Sequence, residues 1–175
     1  MKSLDIRSGH TRIFGFAGWS GAGKTTLLRR LIPVLVGSGL RVSTLKHAHH
    51  GFDVDQPGKD SWEHRQAGAT EVLVGSAARW ALMHELRGAP EPSLPELLAR
   101  LSPVDLVLVE GFKREGHRKI EVHRAANGKP LLHPEDPSIV AIASDVHGAS
   151  GIPHVHLDDI DGIAALVLEH AQPVR

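Results

Sequence analysis

The sequence predicts an α/β fold with a mostly parallel sheet flanked by helices, and three observations carry that expectation. The first is an apolar run, Arg12 to Ala17, followed at once by Gly-Trp-Ser-Gly-Ala-Gly-Lys-Thr-Thr at 18–26 and then by Leu27, Leu28, Leu31 and Ile32 at helical spacing. The second is a return to alternating apolar and polar residues at 40–45, which completes a strand–helix–strand unit. The third is Val104-Asp-Leu-Val-Leu-Val-Glu at 104–110, a run suited to a parallel strand buried on both faces. Gly18, Gly23, Lys24 and Thr25 fit G-x-x-x-x-G-K-[ST] between a strand and a helix, so the expected architecture is the P-loop NTPase fold.

Each segment then takes its place in order. Gly37-Ser-Gly39 closes the first helix, and the second strand runs into a polar loop, 46–60, at its carboxyl end, where open α/β sheets bind ligands. Residues 61–68 suit a short helix ended by Gly68, with Asp60 or Ser61 as its N-cap. Residues 69–74 and 79–84 read as an additional antiparallel hairpin turning at 75–78, and Leu94, Leu97, Leu98 and Leu101 mark a short amphipathic helix. Strands follow at 119–124, 138–143 and, more weakly, 152–157, and a closing helix spans 158–171.

Composition narrows the classes of function. A chain of 175 residues with 41% hydrophobic content suits a single domain, 1–175. Lys plus Arg equals Asp plus Glu, at 20 each, so no global field draws the protein to nucleic acid or to an anionic membrane. Cysteine is absent, which removes disulfides and thiolate metal sites and agrees with a reducing cytoplasm. No apolar run approaches 18 residues and the first ten lack an apolar core, so a cytoplasmic location is expected.

The glycine loop is where chemistry is expected. Its backbone N–H groups and the positive end of the following helix suit a polyphosphate, Lys24 adds a mobile charge, and Thr25 offers a hydroxyl to Mg²⁺. Gly18, Ser20, Gly21, Ala22, Gly23, Lys24, Thr25 and Thr26 form the candidate binding set. Glu110, an acid ending a buried strand, can hold Mg²⁺ or orient a water, and with Lys24 it is the candidate catalytic group. The loop carrying His47, His49, His50, Asp53, Asp55, Lys59 and Asp60 has two functional readings: a segment in which Asp55 or Asp53 completes the Mg²⁺ shell, or a separate zinc or nickel site. Asp145, after a strand, is placed to accept from the N1–H and amine of guanine, which adenine cannot match. Lys113, Arg114, His117, Arg118 and Lys119 form a basic cluster that suits either an anionic acceptor or a solvated loop.

Taken together, several segments resemble the molybdopterin-guanine dinucleotide biosynthesis protein B (MobB) family. They are Gly18 to Thr26, Lys46-His-Ala-His-His50 with Asp55-Gln-Pro-Gly-Lys-Asp-Ser61, Ala67-Gly-Ala69, Leu108-Val-Glu-Gly-Phe-Lys113, Lys119-Ile-Glu-Val-His-Arg124 and Ala141-Ile-Ala-Ser-Asp145. The resemblance implies a GTP-binding protein with Mg²⁺ and weak hydrolysis, related to the metallochaperone GTPases of urease and hydrogenase maturation. It further implies a homodimer that acts as an adapter beside a MobA-type nucleotidyltransferase and molybdoenzyme apoproteins. Carried over by position, Gly21, Gly23, Lys24, Thr25 and Thr26 would bind phosphates, Thr25 with Asp55 or Glu110 would serve Mg²⁺, and Asp145 would read guanine. Ser144-Asp145 departs from the Asn-Lys-x-Asp pattern of common GTPases. Two rival functions use the same residues: a small-molecule kinase with its acceptor on 113–119, and a nickel or zinc chaperone built on the histidines at 47–50.

Overall fold

The computed structural model describes residues 11–48, 51–146, 148 and 151–174. They form two compact units, one built from the residues up to 47 and from 94 onward, the other from 48–93.

The first unit holds a seven-stranded sheet. Its strands are β1 (Arg12–Ala17), β2 (Val42–Lys46), β5 (Leu106–Glu110), β6 (Lys119–His123), β7 (Ile139–Ser144), β8 (His154–His156) and β9 (Gln172–Pro173), with β3 and β4 belonging to the second unit. The order is β2-β5-β1-β6-β7-β8, every pair along it parallel, while β9 runs antiparallel against the start of β1. The helices are α1 (Lys24–Gly37), α3 (Leu94–Leu98) and α4 (Ile160–His170), with α2 in the second unit. This is the mostly parallel sheet with flanking helices that the sequence predicts.

Strand alternation divides the core. Phe14 and Phe16 of β1, Leu106 and Leu108 of β5, and Ile120 and Val122 of β6 share one face, and they bury the apolar stripes of α1 (Leu27, Leu28, Leu31, Leu35) and α4 (Ile163, Ala164, Val167). Ile13, Leu45, Val107 and Val109 point the other way and pack on Leu94 of α3. The two phenylalanine rings meet edge to face at 5.9 Å.

On that second face the layer beneath β6 is polar. Lys119 and Glu121 are fully buried there. The Glu121 carboxylate accepts the backbone N–H groups of Leu132 (2.7 Å) and His133 (2.9 Å), and the Lys119 ammonium donates to the Glu115 carbonyl (2.6 Å) and the Ser138 hydroxyl (2.6 Å) beside Asp136 (3.4 Å). The irregular segment 129–138 is thereby held by charge-assisted hydrogen bonds in place of an apolar stripe. His117 fills the slot over Gly15, where a β-carbon would collide with its ring, and neither ring nitrogen has a hydrogen-bond partner. The basic cluster is therefore not a solvated loop throughout. His117 and Lys119 face inward.

In the second unit, α2 (Asp60–Gln66) packs on β3 (Glu71–Gly75), which pairs antiparallel with β4 (Trp80–His84) in the expected hairpin. Lys59, in extended conformation, caps α2 without a side-chain bond, so Asp60 is the first helical residue and neither Asp60 nor Ser61 is the N-cap. Arg65 ties the unit together, meeting Asp53 and Glu85 at 2.7 Å each and Asp55 at 3.5 Å. Other boundaries differ by up to three residues: β2 starts at Val42 because Arg41 turns to bind Asp105, α3 ends at Leu98, and α4 starts at Ile160 because Asp159 caps it by accepting from Gly162 N–H.

Burial, and next the Lys119 charge, push His117 down to about 4 from its ordinary 6.5. The unfolded chain then binds a proton more readily than the folded one, so the contribution of neutral His117 is complete above pH 6.5 and is lost as pH falls toward 4. Urea unfolding across that window should show stability falling toward acid, with a shallower fall in a His117→Leu variant; an identical slope in the variant overturns the assignment.

Candidate functional site

The carboxyl ends of β1 and β5 lie side by side, with Phe16 opposite Glu110. The chain leaves β1 at Gly18, whose φ of 148° is a region L side chains rarely adopt, and a β-carbon there would strike the Val122 carbonyl. It re-enters regular structure at Gly23, which is left-handed (φ 94°) and caps α1 with no side chain. The first-turn N–H groups of α1 therefore face the loop's interior without a side-chain acceptor, and the helix dipole adds positive potential there.

Four side chains converge on this opening. Lys24 Nζ donates to the carbonyls of Gly18 (2.9 Å) and Trp19 (3.0 Å), folding back over the loop. Thr25 Oγ1 donates to Glu110 at 3.1 Å, and Lys46 Nζ stands 3.7 Å from the same carboxylate. A cavity of about 390 Å³ is lined by Ser20, Gly21, Gly23, Lys24, Thr25, Thr26, Lys46 and Glu110. Burial lowers the Lys24 pKa, Glu110 opposes that, and the neighbouring Lys113 and Lys46 add to it. A cation held between carbonyls beside two others is poised to accept an anion. The hydroxyl and carboxylate of Thr25 and Glu110 are the hard oxygen donors Mg²⁺ takes, so the residues present fit that ion.

The remaining predicted residues fall into place as follows. Ala22 turns its methyl into the core, and its N–H bonds Trp19 O at 3.2 Å, so only its backbone borders the loop. Asp55 lies in the second unit, accepting from Ser61 (2.9 Å) and paired with Arg65. Lys59 and Asp60 border a wider, open hollow of about 590 Å³ in that unit. Asp145 directly follows β7, with Oδ1 accepting the Ala125 N–H at 2.9 Å, which is the main reason its carboxyl titrates below the ordinary range. His47 lies tilted against Phe112 with centroids 4.8 Å apart, while His49 and His50 lie outside the described residues. Among the described residues no three His, Asp or Glu side chains gather as a metal cluster.

Two features escaped the sequence reading. Trp19 in the loop donates its indole N–H to Pro130 O (2.8 Å) and carries Lys113 and Lys129 over its ring at 5.1 and 5.8 Å. Arg124, just after β6, rests against Gly23. Both lie in segments that carry the family resemblance, but those segments assign them no role, and only the adjacency of β6 to β1 brings Arg124, Lys129 and Pro130 to the loop. The inward turn of His117 and Lys119 also leaves fewer exposed cations for the acceptor site that a kinase requires.

Comparison with known proteins bears on the same residues. The family model described as Molybdopterin guanine dinucleotide synthesis protein B matches residues 13–145. The chain is 45% identical over 163 residues, 91% of its length and 93% of the relative's, to the molybdopterin-guanine dinucleotide biosynthesis adapter protein of Escherichia coli K12. It is 45% identical over 137 residues, 76% of its length and 74% of the relative's, to the protein of the same description from Haemophilus influenzae. Among solved structures, a molybdopterin-guanine biosynthesis protein B crystal structure superposes with a TM-score of 0.72 at 29% identity, covering 90% of this chain and 98% of that one. Bacillus subtilis MobB gives 0.71 at 25% identity, covering 92% and 98%.

Loop geometry yields a contrast between two glycines. Gly18→Ala should cost about 2–4 kcal/mol, from left-handed strain plus the clash with Val122 O, whereas Gly37→Ala, helical with open space around it, should gain up to about 1 kcal/mol. Thermal melts of both variants check this; equal shifts would mean that the loop backbone is not constrained.

Proposed function

The chain belongs to the molybdopterin guanine dinucleotide synthesis protein B (MobB) family, and from that premise we propose that it is an adapter in molybdopterin guanine dinucleotide biosynthesis that binds GTP with Mg²⁺ and hydrolyses it slowly. The observation that carries this reading is the convergence of Lys24, Thr25 and Glu110 on one cavity at an uncapped helix start.

The chemistry follows from what these groups offer. Phosphate oxygens replace the Gly18 and Trp19 carbonyls as partners of Lys24, and the backbone N–H groups from Gly21 to Thr26 supply the rest of the cradle. Mg²⁺, when bound, neutralises phosphate charge. Thr25 and Glu110 would hold it. Glu110 is the single carboxylate lining the cavity among the described residues. Committed to Thr25 and the ion, it is poorly placed to orient an attacking water as well, and slow turnover follows. Asp145, charged at the end of the second strand beyond β1, supports guanine as the base.

The reading extends to partners. A second copy of the chain suits the hairpin, where Leu73 and Trp80 are 63% and 66% exposed on one face with Leu82. A two-stranded ribbon with one apolar face open to water gains most by burying it. A MobA-type nucleotidyltransferase and molybdoenzyme apoproteins are the partners proposed for the dimer, in the cytoplasm. No helix among the described residues is long and apolar enough to cross a membrane.

Calorimetry with Mg²⁺ should show GTP binding about a hundred-fold more tightly than ATP, and Lys24→Ala should remove measurable binding. ATP binding as tightly as GTP sinks the guanine role of Asp145, and retained affinity in Lys24→Ala sinks the loop assignment. Light scattering should give the mass of two chains, reduced to one by Leu73→Glu with Leu82→Glu; a wild-type monomer refutes the dimer.

A further inference from the structure

The strand order sets β6 between β1, which leads into the glycine loop, and β7, which ends at Ser144 just before Asp145. Any side chain leaving the carboxyl end of β6 therefore lies between the two. Arg124 is that residue. Its backbone is extended (φ −126°, ψ 125°), and its guanidinium lies against Gly23, where an added β-carbon would stand 3.2 Å from Nε and 3.5 Å from Nη2. On the opposite side Nη1 is 3.9 Å from Asp145 Oδ2, too far for a hydrogen bond. The side chain is 43% exposed, so a ligand can reach its guanidinium.

We propose that Arg124 is a further nucleotide-binding residue whose guanidinium holds the phosphate chain where it runs from the loop toward the base. The assignment deepens the GTP reading above and rests on it. Glu110 and Lys46 line the β5 side of the cavity, where the terminal phosphates and the metal belong, and Lys24 closes over the middle. On the β6 side Arg124 is the cation against the helix cap. A nucleotide with phosphates in the loop and a base at Asp145 must cross it. Gly23 thus has a second task besides its left-handed φ: without a β-carbon, it lets the guanidinium reach the first-turn N–H groups and share an oxygen with them.

A purely structural role predicts something different. If Arg124 only steadied Asp145, removing it would blunt base reading and leave phosphate affinity alone. The test uses the full chain with Mg²⁺ and two nucleotides, GTP and ITP, which differ in the exocyclic amine that Asp145 would accept from. Arg124→Ala should weaken both by the same factor, about ten- to a hundred-fold, keeping the GTP-to-ITP ratio and the melting temperature. Arg124→Lys, which keeps the charge but not the fork, should recover part of the loss. Unchanged affinity in Arg124→Ala, or a loss confined to GTP with a collapsed ratio, overturns the assignment. Wild-type protein that binds neither nucleotide overturns the underlying GTP reading as well, which is a distinct result.

Discussion

The site depends on the register between two parallel strands. Pairing Phe16 with Glu110 sets the end of β5 level with the last residues of β1, so the acid arrives beside the loop as the chain turns into α1. Thr25, one residue into that helix, then meets Glu110 at 3.1 Å. A slip of one residue would turn Glu110 to the opposite face, away from Thr25, and exchange the buried faces of Leu108 and Val109. The apolar alternation that buries Leu108 and Val109 on opposite faces therefore fixes a polar contact as well.

The same sheet tolerates charge in its interior where a helix does not cover it. Beneath β6 the covering layer is an irregular segment whose Leu132 and His133 N–H groups have the Glu121 carboxylate as their acceptor, and an apolar residue at 121 would leave them unsatisfied. Glu121 and Lys119 answer that need, each committed to several partners. His117 obeys a different logic. It is kept neutral by burial and fills the volume that Gly15 leaves on β1. These residues also anchor the loop that presents Pro130 to Trp19, so packing under β6 reaches the glycine loop through one indole hydrogen bond.

Much of this was legible in the sequence because period and spacing report local geometry directly. The strand–loop–helix at 12–37, the buried run ending in Glu110 and the hairpin at 71–84 each follow from residues adjacent in the chain. What could not be read depended on the order of strands. Val122 explains why Gly18 must be glycine, Arg124 lies on Gly23, and Lys129 stands over Trp19, yet each pair is separated by about a hundred residues and joined only because β6 sits beside β1. Lys119 and His117 were misplaced for a related reason: a basic run looks solvated until the layer above it is known to offer Asp136, Ser138 and a carbonyl. The cap of α2 was missed because Lys59 makes no side-chain bond there, and propensity favoured the acid and the serine that follow.

Charge arithmetic argues for how the site would select its ligand. The chain carries 20 basic and 20 acidic residues, so it sets up no net field to gather anions from a distance. Around the loop the balance is local: Lys24 and Lys46 face Glu110 across the cavity, and Arg124 stands near Asp145. Screening at physiological salt extends over about 8 Å, comparable to the span of such a cavity, so these cations act by contact and not by steering. On the GTP reading proposed above, contact recognition would favour a ligand whose phosphates fit backbone N–H groups and whose base fits one carboxylate, and it would reward shape over charge. Under that proposal association would be left to ordinary diffusion, and selectivity would be expressed in how slowly the correct nucleotide leaves.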